Sequence, residues 1–322
     1  MKNVDVIALG GNAILPAGQA GTIQEQFAIT RTTMAQIATL IADGRRVVLT
    51  HGNGPIVGNI VLRNEAMRDT IAPMPLGICV ADSQGGIGYM LQQVLRNALR
   101  QVGLDQKVVT LVTQVLISPD DPALDNPTKP IGPFYTRDQA AALTTERGWK
   151  LVEDSKRGWR RVVPSPRPLE IIEKSVAVQL IEAGSVVITV GGGGIPVFRQ
   201  GDMLEGVEAV VDKDYATAVL ARELGAERMI VVTSVDALYR DFGTPDQEII
   251  PALSADEARS LVPTLPPGSM GSKIDAAVEY VDACGGAAII TSPDRIIDAV
   301  RGDAGTHITP DGKRVGRMAP ER

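Results

Sequence analysis

Short apolar runs that stop on glycine constrain this chain more than any other feature of its sequence. Val4 to Leu9 is almost continuously apolar and stops at Gly10-Gly11. Val47 to Thr50 stops at Gly52-Asn53-Gly54-Pro55, and Val186 to Val190 runs into Gly191-Gly192-Gly193-Gly194. Runs of this length and content read as strands buried on both faces. Between them, Phe27, Met34, Ile37 and Ile41 recur at helical spacing before Gly44. Ile87, Met90, Leu91, Val94, Leu95 and Ala98 mark one face of a long helix closed by Gly103. Further strands are read over Val108 to Val115, Met229 to Thr233 and Ala287 to Ile290. Helices are read through Ala216 to Leu224 and Ile274 to Val281. The alternation predicts an α/β fold, an open and mostly parallel sheet sandwiched by helices.

At 322 residues the chain has room for one large domain or two lobes. Residues 116–168 interrupt the alternation. They hold eight of the 21 prolines, together with Tyr135, Trp149, Trp159 and the basic run Lys156-Arg157-Gly158-Trp159-Arg160-Arg161. They are read as an excursion, either a small protruding subdomain or lid or an ordinary surface insertion. The net charge of −6 argues against a nucleic-acid partner. Two distant cysteines, Cys79 and Cys284, with no CxxC pair, argue against a zinc site and fit a reducing cytoplasm. The first residues read as a strand rather than a signal peptide, and no apolar run approaches the ~20 residues that cross a bilayer. The expectation is a cytoplasmic protein with no membrane partner.

Glycine clusters behind strands have a chemical reading. Ligands of open α/β sheets sit at the carboxyl ends of the strands. Without a Cβ, backbone N–H groups can close on an anion, and a following helix N-terminus completes a cradle for phosphate or carboxylate. Three such clusters favour anion binding over plain turns. The sequence lacks GxxxxGK[ST], so it is not a P-loop protein. The stretch Gly52 to Gly58 has the wrong glycine spacing for a dinucleotide fingerprint.

Phosphoryl transfer needs cations and in-line positioning more than covalent help. Lys213 sits in Val211-Asp212-Lys213-Asp214, at the start of a helix. Lys273 lies in the first turn of another helix, after Gly268-Ser269-Met270-Gly271-Ser272. A cation there opposes the helix dipole, which is easier to understand if an anion binds at the same end. Lys129 stands in the stiff setting Asn126-Pro127-Thr128-Lys129-Pro130 of the excursion, able to reach over a substrate or to face solvent. His51 and His307 do not make an acid–base site. Lysines and glycine amides without a base favour an acid acceptor, which is ionised before attack, over an alcohol.

The chain resembles the carbamate kinases of the amino acid kinase fold group. The resemblance is carried by Ala8-Leu9-Gly10-Gly11-Asn12-Ala13, His51-Gly52-Asn53-Gly54-Pro55, Ser83-Gln84-Gly85, Lys129-Pro130-Ile131-Gly132-Pro133 and Arg160-Arg161-Val162-Val163. It continues through Gly191 to Val197, Glu208 to Asp214 and Gly268-Ser269-Met270. It implies that Lys213 and Lys273 neutralise the transferring phosphoryl group, that Asp214 orients them, and that Lys129 reaches onto carbamoyl phosphate. Gly10, Gly11, Asn12, Gly52, Asn53 and Gly54 would cradle the acceptor. Thr233, Asp236, Gly268, Ser269 and Met270 would hold ATP or ADP. On this reading 1–115 and 169–190 form the acceptor lobe of one domain, 116–168 the inserted subdomain, and 191–322 the nucleotide lobe. The resemblance further implies Mg²⁺, without assigning a metal ligand, and a homodimer that interconverts ATP and carbamate with ADP and carbamoyl phosphate. Ile56 and Gly77 depart from the family's usual Gln and Asp, and Ser272 and Ser234 from its Pro and Asp. The first two departures suggest an altered acceptor pocket, taking a substituted carbamate or another small acid. A non-catalytic nucleotide or oxyanion sensor on the same fold is the reading from another class.

Overall fold

The computed structural model describes residues 3–15, 21–154, 158–265 and 270–316. Eight strands form the main sheet, in the spatial order Ala252–Ser254, Thr306–Thr309, Ala287–Thr291, Arg228–Val232, Val4–Leu9, Arg46–His51, Val186–Ile188 and Val108–Thr110. All neighbours are parallel except Ala287–Thr291 with Thr306–Thr309. The fold is the α/β sandwich that the alternation implies. Both faces are apolar because side chains alternate along each strand. Val4, Val6, Val48, Met229 and Val231 face the helices Lys213–Leu224 and Met270–Cys284. Ile7, Leu9, Leu49, Ile230 and Val232 face Ile23–Ala42 and Leu76–Gln101.

The first strand is flanked by Arg46–His51 on one side and Arg228–Val232 on the other. The direction of winding therefore reverses there, and the reversal opens a crevice at the carboxyl ends of the parallel strands. At the opposite end, the fully buried Asp5 carboxylate is held by the guanidinium groups of Arg45 (2.6 Å) and Arg228 (2.8 Å), which fixes the start of this strand.

The single strand expected over Val108 to Val115 is two. Val108–Thr110 belongs to the main sheet, and Gln114–Leu116 joins a second, four-stranded sheet. Gln84 causes the break: its amide accepts from the Thr113 N–H (2.8 Å) and donates to the Thr113 carbonyl (3.0 Å), pinning the chain in a bend. The long helix also begins earlier than its apolar stripe suggested, at Leu76, with Ser83 and Gln84 buried on its inner face.

Within the excursion, Lys129–Tyr135, Trp159–Val163 and Leu151–Glu153 make a three-stranded antiparallel sheet, accompanied by the helix Arg137–Arg147. This unit packs on the Gly54–Ala66 helix through Val57, Val61, Ile131 and Val163. The approach is so close that a Cβ on Gly58 would lie 2.8 Å from the Gly132 Cα. Of the expected basic run, Lys156 and Arg157 lie outside the described residues.

Candidate active site

The crevice is built from glycine turns behind adjacent strands. The Gly10 N–H donates to the Val232 carbonyl (2.9 Å), and a Cβ at Gly10 would stand 2.7 Å from that oxygen. Only glycine lets the turn lie this close to the neighbouring strand. Gly11–Ala13 then forms one 3₁₀ turn that includes the Asn12 backbone. The Gly52 N–H donates to the Leu9 carbonyl (2.9 Å), so the second turn is tied to the first. Asn53 precedes the Gly54–Ala66 helix, and its amide donates to Ser83 Oγ (2.9 Å). Gly54 is exposed, whereas Gly52 and Asn53 are partly covered.

The third cluster differs from the expectation of an open cradle. Gly191 to Gly194 are buried or nearly so, and the Gly193 and Gly194 N–H groups bond within the turn. A Cβ at Gly192 would lie 2.3 Å from Asn53 Nδ2, and one at Gly193 would lie 2.1 Å from the Val211 carbonyl. With positive φ from Gly192 through Gly194, this turn is a packing floor beneath Asn53. Val190 ahead of it is held at φ 52°, a strained conformation for a β-branched residue, with its N–H bonded to Thr113 Oγ1 (3.0 Å).

Charge enters from the Lys213–Leu224 helix. Asp212 caps it, taking the Asp214 N–H on Oδ1 (3.0 Å). The Thr217 hydroxyl meets the Thr50 hydroxyl (2.7 Å), which locks the first turn to the Arg46–His51 strand. The Lys213 ammonium ion-pairs with one oxygen of Asp214, and Lys273 Nζ lies 3.2 Å from the other. The Asp214 side chain is only 3% exposed. Burial raises its carboxyl pKa, but two ammonium neighbours overcome burial and hold it down to about 2. Burial and the adjacent Lys273 push Lys213 below the ordinary lysine range, while Asp214 opposes them. The stem of Lys213 crosses the second turn, because a Cβ on Gly52 would be 3.2 Å from Lys213 Cδ and 3.9 Å from the Gly11 nitrogen. Both lysines thus gather at the glycine turns around one buried carboxylate.

Lys129 arrives from the three-stranded unit. Its ammonium is 2.6 Å from Asp212 Oδ2, so the third lysine meets the start of the same helix. Sequence reasoning did not select Asp212. Its signal was the helix-capping position directly ahead of Lys213.

Thr233 follows the Arg228–Val232 strand on the other flank of the first strand, and its N–H donates to the Thr291 carbonyl (2.8 Å). Asp236 accepts the Tyr239 hydroxyl (2.6 Å), and Met270 opens the helix that carries Lys273. Gly268 and Ser269 lie outside the described residues.

His51 is buried against Gly191, and burial with the nearby Lys213 charge lowers its pKa to about 4. Its Nδ1 lies 3.1 Å from the Gly52 carbonyl. His307 sits in the Thr306–Thr309 strand, buried and bonded to the Ala304 carbonyl (3.0 Å). Ile56 packs into the core beside the first strand, and a Cβ at Gly77 would make ordinary contact with Ile195 at 3.6 Å. Packing accounts for Ile56, while nothing in the structure requires glycine at Gly77, where a side chain would fit.

The amino acid kinase family model matches residues 3–292. A carbamate kinase of Thermococcus kodakarensis is 45% identical over 313 residues, covering 96% of this chain and 99% of its own. One of Pyrococcus furiosus is 43% identical, with 95% and 98% covered. The structure of a Giardia lamblia carbamate kinase bound to AMP-PNP aligns with a TM-score of 0.88 at 41% identity, covering 95% of this chain and 98% of that one. Taken with the Lys213–Asp214–Lys273 cluster whose Lys213 stem crosses the Gly52 turn, these likenesses leave one assignment: the chain belongs to the amino acid kinase family and, within it, to the carbamate kinases.

Proposed function

We propose that this chain transfers a phosphoryl group reversibly between ATP and carbamate, forming ADP and carbamoyl phosphate. The observation that carries the reading is the buried Lys213–Asp214–Lys273 cluster at the Gly11 and Gly52 turns. In a phosphoryl transition state, charge spreads over three equatorial oxygens, and fixed cations and amides stabilise it without reorganising. Asp214 holds the two ammonium groups apart, one on each carboxylate oxygen. The N–H groups of Gly11, Asn12, Asn53 and Gly54 would bind the acceptor and phosphoryl oxygens, Gly10 and Gly52 would shape the turns with their own N–H groups bonded to the Val232 and Leu9 carbonyls, and Lys129 would cover carbamoyl phosphate. Thr233, Asp236 and Met270 would border the nucleotide, on the far side of the first strand.

Among the described residues, no three His, Cys, Asp or Glu side chains gather into a metal site. Both Asp214 oxygens are engaged by lysines. With that donor set Mg²⁺ would enter with the nucleotide phosphates and would supply counter-charge to them. No helix among the described residues is long and apolar enough to cross a membrane. The same reading includes a homodimer, which sedimentation tests.

The decisive assay is ATP formation from ADP, Mg²⁺ and carbamoyl phosphate, with acetyl phosphate and larger acyl phosphates as comparators. The expected result is preference for carbamoyl phosphate. Preference for a larger acyl phosphate would assign another acid, and nucleotide binding without turnover would make the protein a sensor.

A further inference from the structure

We propose that Asp212 is the positioning residue for Lys129: its carboxylate joins the start of the catalytic helix to the three-stranded unit and sets the lysine over the crevice. The inference rests on the phosphoryl-transfer reading for its kinetic consequence only. Its structural content stands on geometry.

Asp212 uses its two oxygens for two tasks. Oδ1 caps the Lys213–Leu224 helix through the Asp214 N–H (3.0 Å), and Oδ2 takes the Lys129 ammonium (2.6 Å). One carboxylate therefore fixes Lys129 relative to Lys213 and Asp214, its immediate neighbours in the chain. Other contacts between the unit and the main body among the described residues include apolar packing around Ile131 and Val163, the Gly58–Gly132 approach, the Arg147–Glu65 ion pair and the Val210 N–H bond to the Pro164 carbonyl (3.0 Å). Lys129–Asp212 is the ion pair that reaches the start of the Lys213–Leu224 helix.

The five charged groups divide by accessibility. Asp214 is 3% exposed and holds two lysines, so it cannot release them without leaving a buried charge unpaired. Lys129 and Asp212 are 31% and 13% exposed and share one bond, so the ammonium keeps two further N–H donors for an entering anion while Asp212 holds it in place. In the empty crevice Asp212 supplies the counter-charge that keeps Lys129 aimed, which lowers the ordering cost when substrate arrives.

Asp212→Asn separates the two tasks, because an asparagine oxygen still caps the helix while the charge facing Lys129 is gone. The experiment compares wild type, D212N, K129M and the double variant in ATP formation. It also follows amide hydrogen exchange over residues 129–135 and 159–163 in the ligand-free protein. In D212N the KM for carbamoyl phosphate should rise about fivefold, the size expected when a partly exposed ion pair no longer aims Lys129, with the KM for ADP unchanged. Adding D212N to K129M should have no further effect on that KM, because the two residues act as one unit. Exchange in the two strands should accelerate alike in both single variants. An unchanged or lower KM in D212N, fully multiplicative effects in the double variant, or exchange equal to wild type would each overturn the assignment. The exchange comparison needs no substrate, so it judges the role of Asp212 even if carbamoyl phosphate proves to be the wrong acyl donor.

Discussion

Asp214→Asn keeps the shape of the buried centre and removes its charge. The Asp214 carboxyl is held at about 2 against an ordinary 3.8. At about 1.36 kcal/mol per pH unit, that difference is worth on the order of 2 kcal/mol of folding stability. Because the folded pKa is the depressed one, this stability is fully present above the unfolded value and is lost as pH falls from about 3.8 towards 2. The substitution also leaves Lys213 buried beside Lys273 without its nearest counter-charge, and breaking a buried pair from one side costs roughly 3–5 kcal/mol. Thermal unfolding at neutral pH should therefore drop by about 4–7 °C in D214N. The gap between variant and wild type should narrow as both are acidified below pH about 3.8. Asp214 also opposes the burial and repulsion that already lower the Lys213 pKa. Without it that pKa falls further, the ammonium is lost at lower pH, and the alkaline limb of the rate profile moves towards neutrality. Differential scanning calorimetry across pH, paired with rate profiles, reads all three effects. Superimposable unfolding and rate profiles for D214N and wild type would refute the account of the cluster.

Three other substitutions probe the geometry. Lys273→Ala should lower kcat by roughly 10²–10³ while leaving ADP affinity within a few fold, because the lost interaction strengthens mainly in the transition state. Single-turnover rates beside ADP titration check this. Gly52→Ala would put a Cβ 3.2 Å from Lys213 Cδ, so the stem must shift by tenths of an ångström. Activity should fall about tenfold with unfolding temperature nearly unchanged, since misplaced groups cost rate before they cost stability. Gly193→Ala is the contrasting case. Its Cβ would lie 2.1 Å from the Val211 carbonyl at φ +92°, and soluble folded protein should be largely lost.

Features that depend on neighbours in sequence were legible without the structure. The apolar runs identified the main strands, and Gly10 and Gly52 identified turns at the crevice. Lys213 and Lys273 each sat at a helix start, where an anion would offset an unfavourable cation. Features that depend on residues far apart were not legible. Lys129 meets Asp212 across 83 positions, so their shared bond left no local trace. The bend at Thr113 depends on Gln84, 29 positions away, which is why an apolar run across Val108 to Val115 read as one strand. Gly191 to Gly194 looked like the other glycine turns. Only the packing of His51, Asn53 and Val211 against it shows that its missing side chains make room for protein.

Base-free transfer has a kinetic signature. An alcohol acceptor needs a group that takes its proton near neutral pH, and the described residues at the turns supply none. His51 titrates at about 4, so it is already neutral, and it packs against Gly191 with Nδ1 at the Gly52 carbonyl. Asp214, at about 2, is ionised but saturated by two ammonium groups, so protonating it would leave them facing each other. A carbamate oxygen needs no such help. The chemical step should therefore be flat through pH about 6–7, the range in which an ordinary imidazole base would titrate. His51→Asn should retain that flat profile, whatever it does to packing. A rate that rises through this range in wild type and loses its slope in the His51 variant would restore a general base and reopen the case for a hydroxyl acceptor.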